Sequence, residues 1–141
     1  MRYLIDTNIF IYISIEPSLL STNVKLILED YSNLIYISSE SVKELMHLFQ
    51  TGKIKHKNWK AARDIVPTIE NEYNIGIKYI QKEHLMTFAA LGRVDNHNDP
   101  SDRLIIAQAI TEKIPLISSD GKFRHYRKQN LQFVFNEKYK K

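Results

Sequence analysis

Cysteine is absent from the 141 residues, which excludes disulfides, thiolate metal sites and a thiol nucleophile. Glycine is sparse as well: the four, at 52, 76, 92 and 121, stand too far apart for a phosphate-cradling glycine-rich loop. Proline also occurs only four times, and repeats, low-complexity tracts and linkers are missing. No apolar run approaches the roughly 20 residues that span a bilayer. The chain opens on a strand-like segment, without a basic-then-apolar leader. These absences set the expectation of a cytoplasmic protein with no membrane association. Five histidines, at 47, 56, 84, 97 and 125, show no paired spacing for zinc and are expected at scattered surface positions.

What is present is a chain of 43% hydrophobic content, enough for one domain, residues 1–141, with a real core. The formal charge of +4 and pI of 9.2 mildly favour a polyanionic partner. The basic residues are uneven. Lys122, Arg124, Arg127, Lys128, Lys138, Lys140 and Lys141 crowd the last stretch, where Glu137 is the only acid. Lys53, Lys55, Lys57, Lys60 and Arg63 form a second group. Taken alone, each group also reads as a solvated face.

Apolar patterning alternates short strand-like and helix-like segments. Residues 2–5 read as a buried strand and 9–13 as a helix capped by Asp6 or Asn8. A helix over 21–30 follows, then a strand over 34–37 and a helix over 39–49 that stops at Thr51-Gly52. Residues 58–73 are expected to be helical, kinked or broken at Pro67. A strand over 75–80 and a helix over 84–91 come next. Pro100 starts a helix running to about 113, as proline allows in a first turn. Strands over 115–118 and 131–135 flank an Asp120-Gly121 turn. This alternation predicts an α/β fold, a three-layer α/β/α sandwich around a mainly parallel sheet.

In such a sheet, ligands bind beyond the carboxyl ends of the strands. Asp6 follows the first strand in RYLIDTN, and Asp120 follows another in LISSDGKF. Glu44 in SSESVKEL and Asp102 in HNDPSDRLIIAQA lie one turn inside helices whose N-termini can face the same edge. Each acid has an ordinary structural explanation. Asp6 can be a helix cap, and Ser41-x-x-Glu44 matches a capping box. Asp99 and Asp102 suit the helix dipole after them, and Asp-Gly is a turn signal. Four such accidents at one sheet edge are a poorer explanation than a shared site. Gathered carboxylates repel unless a cation joins them, and all-oxygen clusters suit Mg²⁺ or Mn²⁺. Glu44-x-x-His47 is half of a di-iron motif, but it occurs once and this is no four-helix bundle.

The segments LIDTNIF, SVKEL, DPSDRLIIAQA and LISSDGKF, in this order and spacing, resemble PIN domains, most closely the VapC-type toxins of toxin–antitoxin systems. The resemblance covers essentially the whole chain and implies a PIN-like sandwich. It also implies a metal-dependent endoribonuclease in which water attacks an RNA phosphodiester. By matched position, Asp6, Glu44, Asp102 and Asp120 correspond to the acidic catalytic and metal-binding group. Asn8, Ser118 and Asp99 fall where supporting residues sit. Ser101 stands where this subgroup usually has an aromatic residue. Arg103, Lys122, Arg124, Arg127 and Lys128 are candidates for gripping the RNA backbone. Expected partners are an RNA substrate, a cognate antitoxin and a second copy of the chain. The homodimer expectation draws also on apolar Tyr12, Ile13, Ile15, Leu19 and Leu20 near the first helix. Two other readings stay open: a housekeeping RNA-processing nuclease of this fold, and a catalytically inert RNA- or protein-binding module.

Overall fold

The computed structural model describes residues 1–137. Lys138, Lys140 and Lys141 of the basic C-terminal group lie outside the described residues. Five strands form one all-parallel sheet in the order β3-β2-β1-β4-β5. They are β1 (Arg2–Ile5), β2 (Leu34–Ser38), β3 (Gly76–Lys78), β4 (Leu116–Ser118) and β5 (Phe133–Phe135). The helices are α1 (Thr7–Ser14), α2 (Thr22–Glu29), α3 (Ser39–Gln50), α4 (Ile65–Pro67), α5 (Lys82–Ala90) and α6 (Pro100–Glu112).

Both faces of the sheet are covered, as a parallel sheet requires. Side chains alternate along each strand, so β1 sends Tyr3 and Ile5 to one face and Leu4 to the other. Ile5 pairs in register with Ile37 and Ile117, and these pack with Ile9, Phe10, Val24, Leu45 and Ile65 from α1 to α4. Leu4 pairs with Leu116 and packs with Ile105, Ile106, Phe123 and Tyr126 on the opposite side. The chain moves outward from β1 to β2 and β3, then returns to β4 on the other flank. Right-handed crossovers in opposite directions put their helices on opposite faces. The reversal lies between β1 and β4, and the crevice beyond their carboxyl ends is where this architecture places ligands.

Several expectations needed correction. The helix expected over 58–73 winds only from Ala62, as a 3₁₀ turn (Ala62–Asp64), then α4, then a π turn (Thr68–Glu72). Asp64 accepts the backbone N–H groups of Lys60 and Ala61, each at 2.9 Å, which holds the preceding residues out of the helix. Pro67, lacking an N–H, sits where the winding changes. Asp120-Gly121 opens a nine-residue 3₁₀ helix, Gly121–Gln129, not a simple turn. Two histidines are not on the surface: His84 is 3% exposed and His97 4%. Tyr12 and Leu20 are buried within this chain, which removes two of the five residues that suggested a self-association patch. Among the described residues, no helix is long and apolar enough to cross a membrane.

Candidate functional site

Asp6 is the first residue after the central strand. Its backbone N–H bonds to the Ile117 carbonyl of β4 at 3.2 Å, and its carboxylate caps α1 by accepting the Ile9 N–H at 3.0 Å. Capping leaves Asp6 buried, 6% exposed. Ser118 closes β4 and is fully buried. Its hydroxyl accepts the Asp120 N–H at 3.0 Å and also acts on the Asp6 carboxylate, opposing the rise in its pKa. One serine therefore ties the acids at the ends of two adjacent strands. Asp120 also caps the 3₁₀ helix, accepting the Lys122 N–H at 2.9 Å.

Glu44 comes from α3, and its local explanation fails. The helix starts at Ser39 with Ser38 as cap, so Ser41 lies inside it and no Ser41–Glu44 capping box forms. Ser41 is buried, and its hydroxyl has no hydrogen-bond partner. Glu44 instead accepts a hydrogen bond from Thr7 Oγ1 at 3.0 Å, across 37 residues of sequence. Asp102 enters from the first turn of α6, whose cap, Asp99, accepts the Asp102 N–H at 3.1 Å. Ser101 beside it donates to Glu40 Oε1 at 2.9 Å, joining α6 to the first turn of α3.

The electrostatics record how close these groups lie. Burial pushes the Asp102 carboxyl up to about 7, and the charges of Asp99, Asp6, Glu44 and Asp120 add to it. Burial raises Asp6 to about 6, against hydrogen bonds from Ser118 and Ile9, with Glu44 and Asp120 pushing it further. Glu44 is raised by burial too, and Asp99 and Glu40 repel it. The four sequence candidates and Asp99 thus act on one another near the β1–β4 reversal, where burial is the largest cost to the charged carboxylates and mutual repulsion adds to it.

The residues chemistry would ask to hold a metal are oxygen donors, the set that Mg²⁺ and Mn²⁺ prefer. Burial and neighbouring negative charge both disfavour these carboxylates when they are ionised, a cost that a bound cation would offset, so the donor set fits such an ion. His97, which the sequence reading set aside, belongs here as well. One ligand-capable atom each of His97, Asp102 and Asp120 lie within 4.8 Å of one another. Burial lowers the His97 pKa below its ordinary value, although the charge of Asp120 opposes this. Its closeness to Asp99 in HNDPSDR was the available sequence signal. Thr7 was also missed. Asn8, the supporting candidate beside it, is exposed.

The basic candidates divide by environment. Arg103 is half-buried and turned to the protein, donating to the Leu91 carbonyl at 3.0 Å. Lys122 donates to the Asn96 carbonyl at 3.0 Å. Arg124 donates to the Gly121 carbonyl at 2.8 Å and Arg127 to that of Phe133 at 3.0 Å. Each lies over a ring, Phe135 and Phe133 respectively, at 5.3 Å. Lys128 and His125 line a shallow concavity with Arg93, Asp95 and Gln129.

A family model described as PIN domain matches residues 3–129. The chain belongs to the PIN-domain family. No curated protein matches the sequence. Among solved structures, it is similar to a chain of VapBC2 from Rickettsia felis, crystallised bound to a DNA fragment from their promoter. That match has 21% identity, a TM-score of 0.69 and coverage of 97% of this chain and 100% of the other. A chain of VapBC-1 from nontypeable Haemophilus influenzae aligns with 19% identity and a TM-score of 0.63, covering 96% and 98%. One from the FitAcB structure of Neisseria gonorrhoeae gives 20% and 0.60, covering 95% and 96%. At these identities the likeness is one of fold.

Proposed function

We propose that this protein is a Mg²⁺- or Mn²⁺-dependent endoribonuclease that hydrolyses RNA phosphodiesters, the VapC-like toxin of a toxin–antitoxin pair. The observation that supports the reading is the mutual electrostatic influence of Asp102 with Asp6, Glu44, Asp120 and Asp99 near the carboxyl end of a PIN-family sheet. Asp6 and Asp102 are the principal ligands, and Asp120 and Glu44 complete the site directly or through water. When bound, the ion supplies Lewis-acid stabilisation of charge growing on the phosphate, and a more acidic water.

The protein's own contribution is positioning. Asp6 is immobilised by the Ile9 N–H and Ser118. Thr7 holds one oxygen of Glu44, and Asp99 fixes the start of the helix that presents Asp102. Water attacks phosphorus and the bridging P–O bond breaks, so the RNA 2′-hydroxyl takes no part and no cyclic phosphate forms. The exposed cations of the 3₁₀ helix, Lys122, Arg124, Arg127 and Lys128, with Arg103 behind them, meet the RNA backbone.

The solved relatives are VapBC and Fit assemblies, which supports an antitoxin as partner. An arginine or lysine from that partner, set into the metal-free pocket, would pair with its acids. The reading includes a homodimer, for which Ile15, 40% exposed, remains an apolar contact. Light scattering at micromolar concentration should give twice the chain mass.

Incubation with total RNA, followed by sequencing of the new ends, tests the activity. Cleavage that needs the divalent ion and stops in EDTA is expected; equal cleavage in excess chelator overturns the mechanism. Co-expression with the neighbouring gene's product tests the toxin assignment. A product that neither co-purifies nor relieves growth arrest leaves the processing-nuclease reading in its place.

A further inference from the structure

The carboxylates share their pocket with a histidine whose orientation is fixed from behind. His97 is 4% exposed, and its Nε2 has no hydrogen-bond partner. That atom lies 3.4 Å from Asp102 Oδ2, near enough for a polar contact but not aligned as a formed hydrogen bond. A buried ring nitrogen aimed at an acid cluster offers either a lone pair for a cation or an N–H for a carboxylate. The opposite side of the ring decides between them.

His97 Nδ1 lies 2.6 Å from the phenol oxygen of Tyr126, which is fully buried. That oxygen also receives Arg103 Nη1 at 3.4 Å. Arginine has donors only, so the phenol proton needs an acceptor, and His97 Nδ1 is the acceptor at hand. A buried hydroxyl left without one is costly. Nδ1 therefore accepts, and the ring proton sits on Nε2. Edge-on packing against Phe123 at 5.5 Å and Tyr126 at 5.3 Å holds the ring plane.

We propose that His97 is a positioning residue for Asp102. Its Nε2–H donates to Oδ2 and leaves Oδ1 as the oxygen available to a cation. Arg103, Tyr126, His97 and Asp102 then form one relay that starts and ends on α6 and passes through the 3₁₀ helix. A side-chain shift of a few tenths of an ångström closes the 3.4 Å gap to an ordinary hydrogen-bond length. The role assigned to Asp102 rests on the nuclease reading; the His97–Asp102 bond does not.

Two measurements test this separately. Long-range ¹H–¹⁵N correlation spectra of the metal-free wild-type protein report the ring tautomer. The Nε2-protonated pattern is expected for His97, and a proton on Nδ1 overturns the proposal. Calorimetric titration with Mn²⁺, without RNA, reports the consequence. His97→Ala should weaken binding about 10-fold, the usual effect of losing such a partner. His97→Gln, whose amide can donate where Nε2–H did, should restore most of the affinity. Affinity unchanged in His97→Ala overturns the positioning role. Equal loss in both variants, with nitrogen coupling in the spectrum of wild-type-bound Mn²⁺, makes His97 a direct ligand and also overturns it. A wild-type protein that binds no Mn²⁺ removes the metal reading, while the tautomer still decides the His97–Asp102 bond.

Discussion

Thr7 Oγ1 donates a 3.0 Å hydrogen bond to Glu44 Oε1, linking the first turn of α1 to the middle of α3. Thr7 is buried and Glu44 half-buried, so the bond is sheltered and fixes which oxygen of Glu44 faces the pocket. Thr7→Val keeps the shape and removes the donor. We expect Mn²⁺ affinity and RNA cleavage to fall about 10-fold, as for other partners that orient ligands. Thr7→Ser should retain both. Titration calorimetry and a cleavage assay on the same preparations check this; full activity in Thr7→Val would show that Glu44 needs no such restraint.

Asp6→Asn and Asp102→Asn should each lower cleavage at least 100-fold while sparing the fold. Asparagine caps a helix as well as aspartate, so α1 keeps its start. Removing one of several repelling charges should leave the metal-free melting temperature unchanged or raise it by about 2–4 °C. Thermal denaturation in EDTA at pH 8 measures it, and a clear fall in both variants would assign these residues to structure.

The same shifts set a pH dependence. Asp6 and Asp102 have folded-state pKa values of about 6 and 7, against an ordinary 3.8. Between about pH 4 and 7 the folded protein therefore binds more protons than the unfolded chain, and stability falls as pH rises. Above about 7 both states are ionised and the full cost of the buried charges is borne. Asp30, Asp64 and Glu112, whose pKa values are lowered, act below this window, while His97, lowered from 6.5 by burial, opposes the decline within it, a smaller effect than that of the two raised carboxyls. The metal-free melting temperature should decline from pH 5 to pH 8, and Mn²⁺ should raise it more at pH 8. Asp102→Asn should flatten the decline; an unchanged slope would contradict the shared-pocket electrostatics.

Ser101, in the first turn of α6, makes a contact of its own with α3. Its hydroxyl donates to Glu40, which also pairs with Lys43 at 2.7 Å. Ser101→Ala should cost about 1 kcal/mol, the net worth of one such hydrogen bond, visible as a lower urea midpoint. No change at all would mean that solvent already competes for Glu40.

Arg124 and Lys128 are exposed on the 3₁₀ helix. If they meet phosphates, Arg124→Ala and Lys128→Ala should each weaken RNA binding across sequences and reduce the salt slope by about 1. Arg103→Ala should behave differently. Its bonds to Leu91 and Tyr126 make a loss of melting temperature the first effect. Binding at several salt concentrations separates the two outcomes.

Most of the fold was legible because short apolar runs, caps and breakers are local signals. The strand at residues 2–5, the capped helix after Asp6 and the proline-started helix after Asp99 came through as observed. The helix expected across 58–73 did not, because Asp64 draws the backbone of Lys60 and Ala61 to itself, a competition that periodicity does not register. The nine-residue 3₁₀ helix after Asp120 was hidden for a similar reason: its buried anchors, Phe123 and Tyr126, are too few to set a period.

Asp6, Asp102 and Asp120 stand out in the sequence because they lie at strand ends or a helix start, positions the chain marks locally, whereas Glu44 lies inside α3 and was singled out by motif and resemblance. Their partners could not be found that way. Whether Glu44 turns to its own helix or to Thr7, whether Ser118 joins two acids, and whether His97 faces water or Asp102 all depend on groups far apart in the chain. The sequence by itself determined the sheet, its order of elements and the edge where the carboxylates collect. Tertiary structure alone decided which hydrogen bonds hold each carboxylate and how far burial raises its pKa, because both depend on packing between α1, α3, α6 and the 3₁₀ helix.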